Sequence, residues 1–378
     1  MKRLIVKKRD QWQSHMEELG FTFHTTDDTY WNEGVCYEFS AQEIDEIERV
    51  TQLLHEMCIE AVKAVLNNNL FRRLHIPESY EHYIRNTLKQ QQLSIYGRFD
   101  FSFDNNGNPC LLEYNADTPT SLLESSVVQW VWLEEMFPKY DQFNSIHEKL
   151  LEAFSAIARE TASGVPMYFS CVKDYEEDLV TVQYLQDVAI QAGLDGRHVF
   201  IEDIGYNAEG GKFYDLHGEV IEQMFKLYPW EWLLADAFGS HVLKGAMRLY
   251  EPPWKMILSN KAILAILWEM YPNHPNLIPT YHGARSLRGN YVKKPIFSRE
   301  GANVSIFRDG DMIDATEGTY GQEGFVYQEI RALPEFSGNH AVVGSWVING
   351  QPAGIGVRED NSAVTKNTSR FVPHYFKP

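Results

Sequence analysis

The stretch YGRFDFSFDNNGNPCLLEYN, Tyr96–Asn115, reads as two strands joined by a turn. Alternation along Tyr96–Phe103 puts Phe99, Phe101 and Phe103 on one face and Arg98, Asp100 and Ser102 on the other. In CLLEYN, Leu111, Glu113 and Asn115 share a face, and the intervening DNNGNP forms a turn through its Asn, Gly and Pro content. Pairing Phe103 with Cys110 sets Asp100 opposite Glu113 and Arg98 opposite Asn115, so all four face the same way. Carboxylates directly across a ladder repel each other. Positive charge is therefore expected between them, and a hard divalent cation is the natural candidate. Two carboxylates and an amide oxygen, with water and phosphate completing the shell, is the ligand style of Mg²⁺ in nucleotide-using enzymes. Arg98 beside them could hold a phosphoryl oxygen in its guanidinium fork. The spacing equally allows a solvent-facing hairpin whose acids never meet a metal.

The chain continues as ADTPTS, Ala116–Ser121, where Asp117 or Thr118 as a cap and Pro119 at the first helical position would start a helix over 119–136. Its free N–H groups would favour an anion; the alternative is that Asp117 or Thr118 only caps its own helix. Residues 41–68 show apolar positions at three- and four-residue steps and predict one long amphipathic helix. Beyond Val165, MYFSCV reads as a buried strand, TVQYLQDVAIQAG as a helix ending at glycine and HVFIEDI as a second strand, a β-α-β unit. Residues 291–358 turn strand-rich: YVKKPI, NVSIF, FVYQEIRAL, AVVGSWVI and AGIGV, with Asn349-Gly350 as a hairpin signal between the last two.

At 378 residues the chain exceeds the roughly 100–200 residues of one ordinary domain. Element types divide it into a helical segment with the hairpin over 1–160, a β-α-β lobe over 161–250 and an antiparallel sheet domain over 251–378. A net charge of -18 repels phosphodiester backbones, so nucleic acid is not an expected partner, and a cationic small molecule is the alternative to mere solubility. Neither a signal peptide nor an apolar run of membrane-spanning length is found, which makes a cytoplasmic protein the expectation. Cys36, Cys58, Cys110 and Cys171 have no zinc-ligand or C-x-x-C spacing and read as reduced, structural thiols.

No P-loop, dinucleotide fingerprint, zincin or hydrolase-elbow motif is present. VKKPIFSREGANVSIF, residues 292–307, offers another way to hold phosphates: a strand with Lys293 and Lys294, a turn with Ser298, Arg299, Glu300 and Gly301, and a return strand. Such a basic hairpin is also ordinary surface structure. Lys261, in LSNKAILAILW, is a second phosphate-side lysine or a solvated first-turn residue.

YGRFDF, LLEYNADTPTSLLES, KLYPWEW, LSNKAILAILW, KPIFSREGANV and SRFVPHY together resemble the glutathionylspermidine synthase family, over nearly the whole chain. The resemblance implies a mixed α/β (α+β) ATP-grasp fold and an ATP-dependent acid–amine ligase that forms an amide through an acyl phosphate. It implies ATP and Mg²⁺, as two ions, with a glutathione-like acid and a polyamine-like amine as partners. Asp100, Glu113 and Asn115 would be the metal ligands; Arg98 would stabilise the phosphoryl group, and Arg299 would reach the acyl phosphate. Lys261 and Lys294 would hold ATP phosphates under a loop containing Glu300 and Gly301, and Gln328, Glu329 and Ile330 would border the adenine. Thr118, Glu177 and Asp178 would meet substrate, although the two acids could equally be a solvated helix start. Bifunctional relatives carry an amidase domain with catalytic Cys and His; Cys36 and Cys58 sit in no such motif, so amide hydrolysis is not expected. Leu227 and Tyr228 stand where spermidine-conjugating enzymes are expected to be more polar. A nucleotide- or peptide-binding module without turnover, or a kinase acting on another acid, are the competing readings.

Overall fold

The computed structural model describes residues 1–25, 29–366 and 368–377. The expected long helix runs over Ala41–Asn68. Ser40 starts it with a capping box: its hydroxyl accepts from the Glu43 N–H, and the Glu43 carboxylate accepts from the Ser40 N–H. Asn69, at φ 57°, takes the left-handed conformation that ends it. The stripe Ile47, Val50, Leu54, Ala61, Val62 and Val65 is fully buried. It packs on an antiparallel sheet, where the Thr51 hydroxyl also lies 2.7 Å from that of Ser345.

That sheet is ordered Arg370–Val372, Gln351–Asp360, Asn339–Ile348, Tyr96–Phe103, Pro109–Asn115, so the hairpin shares hydrogen bonds with strands more than 220 residues away. Asn349 and Gly350, at φ 47° and 77°, both occupy the positive-φ region that a two-residue hairpin turn requires. A second antiparallel sheet, ordered Thr280–Tyr281, Phe325–Glu329, Tyr291–Pro295, Ser305–Arg308, Asp311–Ala315, holds the lysine strand at its centre. A third, parallel sheet is ordered Arg248–Tyr250, Gln223–Leu227, Met167–Cys171, Gly196–His198, with the helix Glu176–Gln191 crossing over. The second strand expected over HVFIEDI is displaced: the strand that pairs with Met167–Cys171 is Gly196–His198, and within the expected segment Ile201–Asp203 is a single 3₁₀ turn. No described helix is long and apolar enough to cross a membrane.

The hairpin pairing differs in detail from expectation. Phe103 faces Pro109, not Cys110, and this register continued without change would place Asp100 opposite Leu112. A bulge at Leu112 absorbs one residue and restores Asp100↔Glu113 and Arg98↔Asn115. The segment after the hairpin differs too. The helix begins at Leu122, not at residue 119, and it opens with a π-helical stretch, Glu124–Val128.

Asp117 does not cap that helix. Its carboxylate crosses to the parallel sheet, accepting from Lys226 Nζ at 2.8 Å and from the Trp230 N–H at 3.0 Å, with neither Asp117 nor Lys226 exposed. Lys255 Nζ likewise donates to the Tyr96 and Ala116 carbonyls at 3.0 and 2.8 Å, while Glu251 accepts from the N–H groups of Ile95 and Tyr96, both at 2.9 Å. The hairpin is thereby bolted at both ends. Lys226→Met leaves Asp117 buried without its cation and should cost about 3–5 kcal/mol in urea unfolding. Adding Asp117→Asn should recover a large part of that loss, since no uncompensated charge remains.

Candidate active site

The three sheets converge on a cavity of about 740 Å³. Arg98, Asp100, Glu113 and Asn115 of the hairpin, Thr118, Glu177, Asp178, Lys261, Lys294, Arg299, Glu300, Gly301, Gln328, Glu329 and Ile330 all line it. The structure therefore brings together every residue that the family resemblance assigned to metal, nucleotide or substrate, whereas Lys293, on the same strand as Lys294, is not among the lining residues.

The facing acids are neutralised by protein cations. Arg98 grips Asp100 with two parallel bonds, Nε to Oδ1 at 2.7 Å and Nη2 to Oδ2 at 3.1 Å, and turns Nη1 to the Thr120 carbonyl at 2.7 Å. Arg358 adds a third bond to Asp100 at 3.1 Å. Lys261 Nζ stands 3.1 Å from Glu113. Burial on its own pushes the Glu113 carboxyl up, but Lys261, Lys294 and Arg98 outweigh it and hold the group down at about 2. Glu113 is thus ionised at any ordinary pH.

Lys294 Nζ donates to Gln328 Oε1 at 2.7 Å and to the Leu112 carbonyl at 3.0 Å, so the bulged residue itself anchors the lysine. Burial pushes Lys294 down to about 8, with Glu113 opposing and Lys261 adding repulsion. Its neighbour Lys293 points elsewhere, 3.8 Å over the Phe325 ring. Arg299 reaches Thr118 Oγ1 and pairs with Glu231 at 2.9 Å. Gly301, at φ 68°, sits so close to the Thr365 carbonyl that a Cβ would collide, which is the local reason for glycine there. The Glu329 N–H is taken by the Pro279 carbonyl at 2.8 Å.

Three acids also line the cavity, Glu177, Asp178 and Glu300. Burial first, then Glu177 and Glu300, pushes Asp178 up to about 7. Glu177 is raised by burial and by Glu300 against a hydrogen bond from Thr120, and Glu300 is raised by burial. The two acids of the helix start are therefore cavity residues, not a solvated face. Sequence reasoning missed Arg358, Glu231 and Tyr30. Arg358, paired with Val342, reaches Asp100 across the Asn339–Ile348 strand that separates their two strands, and only the strand order reveals that proximity.

Asp100, Glu113 and Asn115 suit a hard cation in donor chemistry. The Asn115 Nδ2 lies 3.4 Å from Asp100 Oδ2 and 3.3 Å from Glu113 Oε1, so both carboxylates converge on the amide. Half a turn of the amide about its last torsion would bring Oδ1 to the same point. Among the described residues no group of three or more His, Cys, Asp or Glu is arranged to hold a metal, so the remaining ligands would have to be water and phosphate oxygen.

The glutathionylspermidine synthase preATP-grasp family matches residues 3–377. A Haemophilus influenzae protein named "Putative acid--amine ligase" is 43% identical over 395 residues, covering 100% of both chains. Trypanothione synthetase of Crithidia fasciculata is 31% identical over 84% of this chain and 53% of its own length, so the chain spans about half of that relative. Among solved structures, a glutathione synthetase-like effector from Globodera pallida aligns over 99% of this chain and 100% of its own, with a TM-score of 0.57 at 10% identity, a likeness of fold.

Gly344 supplies a test of the arginine's placement, because a Cβ there would stand 2.7 Å from Arg98 Cδ. Gly344→Ala should cost about 1–3 kcal/mol by overpacking. A crystal structure of the variant should show the Arg98 fork displaced from Asp100, and an unmoved fork at full stability would contradict the packing described.

Proposed function

Because the chain belongs to the glutathionylspermidine synthase preATP-grasp family, we propose that it is an ATP-dependent acid–amine ligase whose cavity is an ATP-grasp site. The observation that carries this reading is that the cations Arg98, Arg299, Arg358, Lys261 and Lys294 and the acids Glu177, Asp178 and Glu300 line one cavity. A binder of anions needs the cations alone, whereas joining an anion to an ammonium needs both sets.

A carboxylate is a poor electrophile, and phosphorylation makes it reactive. In the proposed site ATP lies between the second antiparallel sheet, which carries Lys294, and the sheet that carries the hairpin. Lys261 and Lys294 hold its phosphates, Gln328 to Ile330 border the adenine, and Arg98 meets the charge that develops on the transferred phosphoryl group. Asp100, Glu113 and Asn115 would hold Mg²⁺, which supplies positive charge to the phosphate oxygens when bound. Arg299 and Arg358 face the acid substrate's reacting end, and the flap over residues 298–301 excludes water that would hydrolyse an acyl phosphate. Thr118 touches the acid, while Glu177 and Asp178 hold the amine as its ammonium. A peptide-like acid and a polyamine-like amine fit this division. Tyr228 and Trp232 also line the cavity and make the amine side more aromatic than the family resemblance led us to expect. Four buried thiols suit the reducing cytoplasm as its compartment.

Measuring ADP and amide across a panel of peptides and amines tests the reading: paired acid and amine should both be required. No turnover with any pair would leave a binding module, and ADP without amide would leave a kinase. Glu113→Gln should lower turnover at least about 10²-fold with the fold retained. Asp100→Asn should do the same but also lose stability, because it takes the charge from under Arg98 and Arg358. Lys294 loses its proton through about pH 8 in the free protein, so ADP affinity should fall as pH rises past that point. Lys294→Met should bind more weakly and show no such fall.

A further inference from the structure

Glu124 is a buried carboxyl without a cation. It is 1% exposed, opens the π-helical stretch Glu124–Val128 and makes no ion pair among the described residues. Its partner is Tyr30, whose hydroxyl donates to Oε1 at 2.6 Å and lies 3.0 Å from Ser121 Oγ. Tyr30 lines the cavity, so it connects that space to a carboxyl screened from solvent behind it. π-Helical insertions inside α-helices cluster at functional sites. An unpaired buried carboxyl is costly, and a glutamine of the same shape would avoid that cost.

Among the described residues, charged or titratable groups from three elements act on Glu124. The Tyr30 hydroxyl comes from the segment ahead of the Val35–Ser40 strand, Glu177 from the start of the Glu176–Gln191 helix, and Arg98 from the hairpin. Burial, then Glu177, pushes Glu124 up to about 7, with Tyr30 and Arg98 pulling the other way. Burial and the same two acids push the Tyr30 hydroxyl well above its usual range. Glu124 can therefore exchange a proton near neutral pH, whereas Tyr30 relays one without becoming an anion.

We propose that Tyr30 and Glu124 form the route by which the attacking amine loses its proton, Tyr30 as conduit and Glu124 as store. This rests on the ligase reading above. An alkylamine arrives as an ammonium beside Glu177 and Asp178 and cannot attack in that form. One N–H proton passes to the Tyr30 oxygen as Tyr30 hands its own proton to the Glu124 carboxylate. The neutral nitrogen then bonds to the acyl carbon, and the carbon–oxygen bond to phosphate breaks with its electron pair leaving on phosphate. The second N–H proton ends on that phosphate. Glu124 returns its proton to solvent by the reverse path.

The test compares two nucleophiles with glutathione as acid: spermidine, which must be deprotonated, and hydroxylamine, which is already neutral at pH 7. Tyr30→Phe keeps the ring against Phe21 and Phe23 and removes only the hydroxyl. Tyr30→Phe and Glu124→Gln should each lower amide formation from spermidine about 10²-fold at pH 7, with the loss shrinking as pH rises, while hydroxamate formation stays within about twofold. Equal losses with both nucleophiles and no pH dependence would assign the pair a purely structural role and overturn the route; so would no loss at all. Wild-type protein that forms no hydroxamate would instead overturn the ligase reading with this acid, and the route with it. Should Glu124→Gln fail to fold, Tyr30→Phe still decides. In addition, difference infrared spectra of wild type minus Glu124→Gln should isolate a protonated-carboxyl band that titrates near pH 7 and moves to higher pH in Tyr30→Phe, and no such difference band would contradict the assignment.

Discussion

One extra residue in a strand sets the chemistry of the cavity. The bulge at Leu112 turns Asp100 and Glu113 toward each other; without it a one-residue slip would put Leu112 opposite Asp100 and send the acid to the other face. Two carboxylates placed in this way need cations, and the fold supplies them from four separate elements: Arg98 on the hairpin itself, Arg358 on the Gln351–Asp360 strand, Lys261 ahead of a helix and Lys294 on the Tyr291–Pro295 strand of the second sheet. The same bulge frees the Leu112 carbonyl to hold Lys294. Charge placement and backbone geometry are one feature here.

That arrangement persists because the hairpin cannot shift. Asp117–Lys226 and the Glu251–Lys255 pair fasten its exit and its start to the parallel-sheet region, and none of these four groups is solvated. Buried ion pairs of this kind are costly to assemble but fix register and orientation. They hold the acidic start of the Glu176–Gln191 helix in the same cavity as the cations, and the proposed meeting of an acid with an amine depends on that shared cavity. The sharing of one sheet between residues 96–115 and 339–372 serves the same end, since it sets Arg358 one strand beyond the strand that pairs with Asp100 and within 3.1 Å of its carboxylate.

Much of this was legible in the sequence, for identifiable reasons. The strands, the capping-box helix and the Asn349-Gly350 turn obey local rules of periodicity and φ preference that need no tertiary partner. The facing of Asp100 and Glu113 came from an assumed Phe103–Cys110 pairing that is off by one, and a bulge no periodicity signals compensates for the slip. Asp117 reads locally as a helix cap, yet a buried lysine more than 100 residues away captures it. Lys293 and Lys294 look alike in sequence; pleat direction sends one to an aromatic ring and the other to the cavity. Tyr30 and Arg358 carry no motif, and strand order and packing alone bring them to the site. Composition and spacing did not distinguish a protein cation from a metal between the acids, and the structure supplies arginines and lysines there.

The central claim is that Asp100, Glu113 and Asn115 present their oxygens jointly to a magnesium ion carried in with the nucleotide. A crystal structure of the protein with an ADP-containing ligand and Mg²⁺ tests it most directly. The account predicts an ion about 2.1 Å from oxygens of these three side chains and of phosphate, with the Asn115 amide turned over. Nucleotide bound in the cavity with Arg98 and Lys261 still occupying both carboxylates, and no ion between them, would contradict it.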